Sequence, residues 1–92
     1  MVYFVYILEC GDKTFYTGIT TDLKRRLLEH NFGKTGAKYT KTRRPVRIRY
    51  LEKAESRSAA LKREAAVKRL TRSQKLALIL TSRRRKLSSR KK

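Results

Sequence analysis

The chain has few of the residues that build cross-links, membrane spans or acidic surfaces. Its 92 residues include one cysteine, one proline, no tryptophan and only 7 acidic residues. The single thiol, Cys10, excludes an internal disulfide and any metal site built from several cysteines. The apolar run at residues 2–8 follows no basic region and is too short for a signal peptide or a membrane-spanning helix. These absences favour a cytoplasmic protein.

Basic residues are abundant instead. The chain has 26 Lys and Arg residues, a net charge of +19 and 39% hydrophobic residues, which together predict one globular domain with a basic surface. Such a surface is typical of nucleic-acid-binding proteins. Ribosome association and binding to anionic membranes are the alternatives. No basic stretch alternates with a strong Trp/Phe/Leu face, so we expect no membrane partner.

The pattern of apolar residues predicts three strands. Residues 2–8 are apolar on both faces and predict a central strand over residues 2–9, and residues 14–20 predict its hairpin partner. Residues 46–51 alternate apolar residues with arginine, as an edge strand does. The order β-β-α-β-α-α indicates an α+β fold, with a small three-stranded antiparallel sheet flanked by helices and the first strand in the middle.

The capping residues predict three helices. Thr21 or Asp22 caps the first helix, Ser56 caps a helix over about residues 57–70, and a capping box at residues 71–74 begins the last helix. Residues 34–45 are basic with few apolar residues and predict a surface loop. We predict a folded domain over residues 1–81 and a flexible basic tail over residues 82–92.

Four residues suited to phosphodiester chemistry fall within the first thirty positions. Tyr6 and Tyr16 lie on neighbouring predicted strands, and Arg26 and His30 are four residues apart on a predicted helix. Strand pairing brings the phenols to one face of a sheet, and the spacing of Arg26 and His30 puts them on one side of a helix. Cleavage of a phosphodiester needs a proton acceptor, a cation and a second acid–base group.

The triplets at residues 5–7 (Val-Tyr-Ile) and 16–18 (Tyr-Thr-Gly), followed by Arg26, His30 and a late helix with Glu64, resemble the GIY-YIG nuclease domain. The resemblance covers residues 2 to about 80 and is greatest to the small single-domain UPF0213 branch. The first triplet lacks the family's glycine, and the late asparagine of some family nucleases is absent. We expect no second DNA-recognition domain, and therefore structure-directed or weakly selective cutting.

The resemblance implies cleavage of phosphodiester bonds with one divalent metal, Mg²⁺ or Mn²⁺. It implies Glu64 as the metal ligand and Gly18 as a position where a missing side chain lets substrate or a ring come close. The implied catalytic residues are Tyr6, Tyr16, Arg26 and His30. A phenol is a poor base at neutral pH unless positive charge lowers its pKa, and the Arg26 fork can bind two phosphate oxygens.

Each of these residues also has an ordinary structural explanation. Tyrosine favours strands, so Tyr6 and Tyr16 could be packing residues. His30 could be a cation that complements the helix dipole. Glu64 falls on the packed side of its helix, but it could form an i,i+4 ion pair with Lys68.

We therefore predict a metal-dependent endonuclease, of the kind used in DNA repair, that binds DNA in preference to RNA. We expect a monomer whose specificity a protein partner could supply. The predicted nucleic-acid contacts are Lys34, Lys38, Tyr39, Lys41, Arg43, Arg44, Arg47 and Arg49. The alternatives are a nucleic-acid-binding module with the nuclease fold and little activity, and an RNA-associated basic protein.

Overall fold

The computed structural model describes residues 2–33 and 38–90, with the side chains of residues 38, 39 and 83–90 outside the description. The elements in chain order are β1 (Tyr3–Glu9), β2 (Phe15–Thr20), α1 (Leu23–Phe32), α2 (Lys38–Lys41), β3 (Arg47–Ala54), α3 (Arg57–Lys68) and α4 (Arg72–Arg90). The predicted α+β class is confirmed. No helix in these ranges is long and apolar enough to cross a bilayer.

The sheet is antiparallel, and β1 is its central strand. The strand order is β2-β1-β3, as the sequence predicts. Tyr6 pairs with Gly18 on β2, and Leu8 pairs with Tyr16, so alternate residues of the hairpin share one face. An irregularity between Ile7 and Leu8 shifts the register of β1 against β3. Strand β3 also runs three residues past the predicted end at Leu51, to Ala54.

Each face of the sheet carries its own core cluster. On one face Tyr6, Leu8, Cys10 and Val46 pack with Tyr16, Ile48 and two α1 residues, Leu23 and Leu27. On the other face Ile7 and Tyr50 pack with Val67 of α3 and Ile79 of α4. The tyrosines of both triplets therefore belong to the face that α1 covers.

Helix α1 begins where a side chain satisfies its first free amide groups. The Asp22 carboxylate accepts a hydrogen bond from the Arg25 amide at 3.0 Å, so Asp22 is the cap of the two predicted candidates. This start fixes the rotation of the helix, which turns Leu23 and Leu27 toward the sheet. Arg26 and His30 then lie one turn apart on a neighbouring stripe.

The segment before β3 differs from the predicted basic surface loop. Residues 38–41 form the short helix α2, and Thr40 within it is fully buried. The Arg44 guanidinium donates to the carbonyls of His30 and Gly33, each at 2.6 Å, and so caps the end of α1. Composition suggested a solvated loop because it shows charge but not which side chains turn inward.

The last two helices begin at the predicted caps. Ser56 accepts from the Ala59 amide, and Thr71 and Gln74 exchange side-chain-to-amide hydrogen bonds in a capping box. The backbone of α4 is helical to Arg90, through most of the predicted flexible tail. Arg, Lys and Leu favour helix, and no Gly or Pro interrupts them. Whether residues 82–92 are mobile in solution stays a prediction.

The start of α4 contacts the hairpin formed by β1 and β2. Arg72 donates a hydrogen bond of 2.5 Å to the Lys13 carbonyl, and its guanidinium lies 4.7 Å from the centre of the Phe15 ring. Lys13 has a φ of 71°, in the left-handed region. The hairpin that carries both tyrosine triplets is therefore joined to the C-terminal helix.

Candidate active site

Tyr6 is positioned by the strand pairing and by the absence of a side chain opposite it. A Cβ atom on Gly18 would lie 2.5 Å from the Tyr6 hydroxyl, so glycine is what allows the ring to lie across β2. Tyr6 is 1% exposed, and its hydroxyl is 3.1 Å from His30 Nε2. Burial raises the pKa of Tyr6, and Arg26 opposes this rise because its positive charge favours the phenolate.

Tyr16 lies beside the same imidazole and has more access to solvent. Its ring centre is 5.2 Å from that of His30 in an edge-on arrangement, and the side chain is partly exposed. The negative charge that either tyrosine would carry as a phenolate raises the pKa of Arg26. The two phenols and the guanidinium therefore share one electrostatic environment.

Arg26 is held at the edge of this cluster with donors to spare. Its Nη1 atom donates to Glu29 at 3.0 Å, and 26% of the side chain is exposed, compared with 65% for Arg25. Burial lowers the pKa of Arg26, but its hydrogen bonds to Glu29 and Tyr6 outweigh that effect and the net change is upward. A guanidinium carries five N–H donors, so the Glu29 pair leaves others for a phosphate.

His30 is enclosed and neutral. The residue is fully buried, and Nδ1 lies 2.7 Å from the Thr40 hydroxyl. Burial and the nearby positive charges of Arg26 and Arg44 lower the pKa of His30 to about 4, against a smaller opposite effect of Glu29. The interpretation of His30 as an exposed helix-end cation does not fit this environment. The imidazole contacts Tyr6, Tyr16 and Thr40 rather than solvent.

Glu64, on α3, influences the cluster through its charge. Its negative charge raises the pKa of Tyr6, and its side chain is 18% exposed, in keeping with a position on the packed side of the helix. The carboxylate also lies 3.5 Å from Lys68 Nζ, so the alternative i,i+4 pair is present as well.

The oxygen ligands at this site fit a weakly chelated divalent metal. Within residues 2–33 and 38–90, no three His, Cys, Asp or Glu residues cluster to form a metal cage. One carboxylate is nevertheless enough for Mg²⁺, which retains waters and takes its remaining ligands from substrate phosphates. Glu64, whose charge acts on Tyr6, is the carboxylate that could serve in this way.

The predicted nucleic-acid contacts are in varied surroundings. Lys41 is exposed, whereas Arg43 pairs with Asp12 at 3.0 Å, and Arg44 is engaged by the end of α1. Arg47 and Arg49 both donate to the Glu9 carboxylate at 2.8 Å. Lys34 lies outside the described residues, as do the side chains of Lys38 and Tyr39.

Sequence reasoning missed Thr40 and Glu9, which organise their neighbours. Thr40 sits in a stretch of lysines and arginines, and nothing in its spacing indicates that it turns inward to His30. Glu9 is the last residue of an apolar strand, and its pairing with two arginines depends on the register of β1 against β3. The arginine-rich pattern of β3, together with an acidic residue at the end of β1, was the signal that could have indicated this pairing.

Comparison with known proteins places these features in a wider group. The model of the GIY-YIG catalytic domain matches residues 2–77. A UPF0213 protein of Syntrophus aciditrophicus is 59% identical over 76 residues, which cover 83% of this chain and 87% of that protein. A UPF0213 protein of Streptococcus pyogenes serotype M5 is 57% identical over 84 residues, 90% of each chain.

Solved structures show the same fold. The solution structure of protein EF2693 from E. faecalis has a TM-score of 0.63 at 46% identity, covering 90% of this chain and 88% of that one. The solution structure of the UPF0213 protein BH0048 from Bacillus halodurans has a TM-score of 0.57 at 44% identity, covering 88% and 85%.

Proposed function

This chain belongs to the GIY-YIG catalytic domain family, and from that premise we propose that it is a metal-dependent endonuclease acting on DNA. The observation that carries the proposal is the convergence of Tyr6, Tyr16 and Arg26 around the buried His30. Two phenols and a cation with spare donors beside a carboxylate meet the needs of phosphodiester hydrolysis.

The two tyrosines differ in solvent exposure, and we assign them different roles on that basis. Tyr16 is partly exposed and takes the proton of the attacking water. Tyr6 is buried beneath the same site. Its hydroxyl forms hydrogen bonds with Arg26 and His30 and so keeps the Arg26 guanidinium in position. Arg26 stabilises the charge that develops on the phosphate oxygens. Glu64 would hold Mg²⁺ or Mn²⁺, which would polarise the phosphate as a Lewis acid.

The substrate follows from charge and from the size of the domain. A net charge of +19 favours a polyanion, and one domain of this size offers little surface for reading a sequence. We propose structure-directed or weakly selective cutting in DNA repair, by a cytoplasmic monomer that a protein partner could direct. Lys41, Arg43, Arg47 and Arg49 supply backbone contacts, with Lys34, Lys38 and Tyr39 from the neighbouring segment.

A second candidate function is nucleic-acid binding without turnover. The Glu64–Lys68 pair favours it, because Lys68 already compensates the charge of the carboxylate. Both functions predict affinity for phosphates, and only the first predicts metal-dependent cleavage.

Cleavage assays with a charge-removing variant separate the two functions. Wild-type protein should cut at least one of duplex, single-stranded and branched DNA in Mg²⁺ or Mn²⁺ and none in EDTA. Glu64→Gln should reduce cutting by about 10²-fold or more while binding persists, because one negative charge leaves the site. Glu55→Gln, at an exposed glutamate outside the site, is the matched control and should cut normally. Cutting by Glu64→Gln at the wild-type rate would remove the metal-ligand assignment, and no cutting of any substrate by the wild type would leave the binding function.

Binding itself should depend steeply on salt. If about six phosphates are neutralised, log K should fall with log salt with a slope of about −5 on duplex DNA. Fluorescence anisotropy between about 50 and 200 mM salt measures this slope. An affinity that did not change over that range would contradict backbone recognition by the basic surface.

A further inference from the structure

We propose that Thr40 is a positioning residue that fixes the orientation and tautomer of His30, so that the imidazole accepts a hydrogen bond from the Tyr6 hydroxyl. Its effect on cleavage rests on the proposed nuclease function, whereas its effect on the imidazole does not. Nothing in the sequence marks Thr40 apart from its basic neighbours.

The three groups form one buried hydrogen-bonded chain. The Tyr6 hydroxyl lies 3.1 Å from His30 Nε2, and His30 Nδ1 lies 2.7 Å from the Thr40 hydroxyl. Their residues are 1%, 0% and 0% exposed respectively, so water does not compete for these contacts. These hydrogen bonds connect β1 with α1 and α1 with α2.

The protons available on His30 and Tyr6 favour one arrangement of these hydrogen bonds. With a pKa of about 4, His30 carries a single ring proton at neutral pH. If that proton were on Nε2, it would point at the Tyr6 oxygen, and the phenol proton would need another acceptor. The Arg26 guanidinium also hydrogen-bonds that oxygen, and it can only donate.

The alternative arrangement gives a partner to each ring nitrogen of His30 and to the Tyr6 proton, and leaves the Thr40 proton to be donated elsewhere. With the ring proton on Nδ1, His30 donates to the Thr40 oxygen and Nε2 accepts from the Tyr6 hydroxyl. The Tyr6 oxygen keeps its lone pairs for Arg26, which holds the guanidinium where its other donors can meet a phosphate. Thr40 therefore controls the site from two hydrogen bonds away, as outer partners of histidine often do.

Nitrogen NMR of the imidazole tests the tautomer directly. His30 is the only histidine, so ¹⁵N-histidine labelling gives a single set of ring signals. At pH 7 the wild type should show protonated Nδ1 and unprotonated Nε2. Thr40→Val keeps the shape but loses the acceptor, and it should shift the ring toward the Nε2-protonated form. Thr40→Ser keeps a hydroxyl and should preserve the wild-type pattern.

Either of two NMR results would overturn the inference: a wild-type ring protonated on Nε2, or a folded Thr40→Val variant with the wild-type pattern. If Thr40→Val does not fold, the wild-type spectrum and Thr40→Ser still decide. In cleavage assays kcat should fall about 10-fold for Thr40→Val and recover in Thr40→Ser, with DNA affinity unchanged. A tautomer change without any cleavage in the wild type would leave the role of Thr40 intact and reject the nuclease function.

Discussion

Arg26→Ala should reduce the rate of phosphodiester cleavage by about 10³-fold, whereas Arg25→Ala should leave it within about two-fold. The two arginines are adjacent and carry the same charge, but only Arg26 lies against Tyr6 in the candidate site. Arg25 is 65% exposed and sits near Asp22 at the start of the helix. Removing Arg26 takes away the cation that stabilises the developing charge on phosphate.

Rates under single-turnover conditions, with DNA affinity measured in parallel, check this difference. Arg26→Ala should also bind DNA several-fold more weakly, since a phosphate contact is lost, and Arg26→Lys should restore affinity better than rate because lysine lacks the planar fork. Equal losses of rate in Arg25→Ala and Arg26→Ala would show that net charge, and not the position of Arg26, governs cleavage.

Acidification should weaken the fold through His30. The pKa of His30 is about 4 in the folded chain and about 6.5 in an unfolded chain, so the unfolded state binds its proton first as the pH falls. Stability that His30 contributes is therefore present above about pH 6.5 and is lost progressively toward pH 4. The shift corresponds to about 3 kcal/mol at most in the free energy of unfolding.

Urea unfolding of the wild type and of His30→Gln at several pH values between 4 and 7 (the range set by the two pKa values) measures this contribution. The variant should be less stable at pH 7 but should lose less stability on acidification. Hydrogen bonds to Arg47 and Thr14 lower the pKa values of Glu9 and Asp12 respectively. Protonation of these two carboxylates therefore destabilises both proteins at the acidic end of the range. The difference between the two curves isolates His30, and parallel curves would contradict its burial as a neutral group.

The periodicity of strands and helices was sufficient to predict which residues of an element lie on the same face. Alternation along β1 and β2 placed Tyr6 and Tyr16 on one face, and helical spacing placed Arg26 and His30 on one stripe of α1. Gly18 was expected to permit the close approach of substrate or a ring, and it is the Tyr6 ring that approaches. Local rules were enough because each of these relations is set within one or two paired elements.

Relations that depend on the packing of distant elements were not predictable. The sequence of residues 34–45 indicates a solvated loop, yet Thr40 turns inward and Arg44 caps α1. The different exposures of Tyr6 and Tyr16, which share one core cluster, were not predictable either. Glu9 pairs with Arg47 and Arg49 only because of the register between β1 and β3.

The contact between α4 and the first hairpin matters for when the protein can complete its fold during synthesis. Both tyrosine triplets leave the ribosome early, but one face of their sheet is completed only when Ile79 packs beside Ile7 and Arg72 reaches the Lys13 carbonyl. A nascent chain therefore carries the candidate catalytic residues before it has a complete fold. Synthesis of the last helix sets the moment at which a highly basic chain of this family becomes a finished domain.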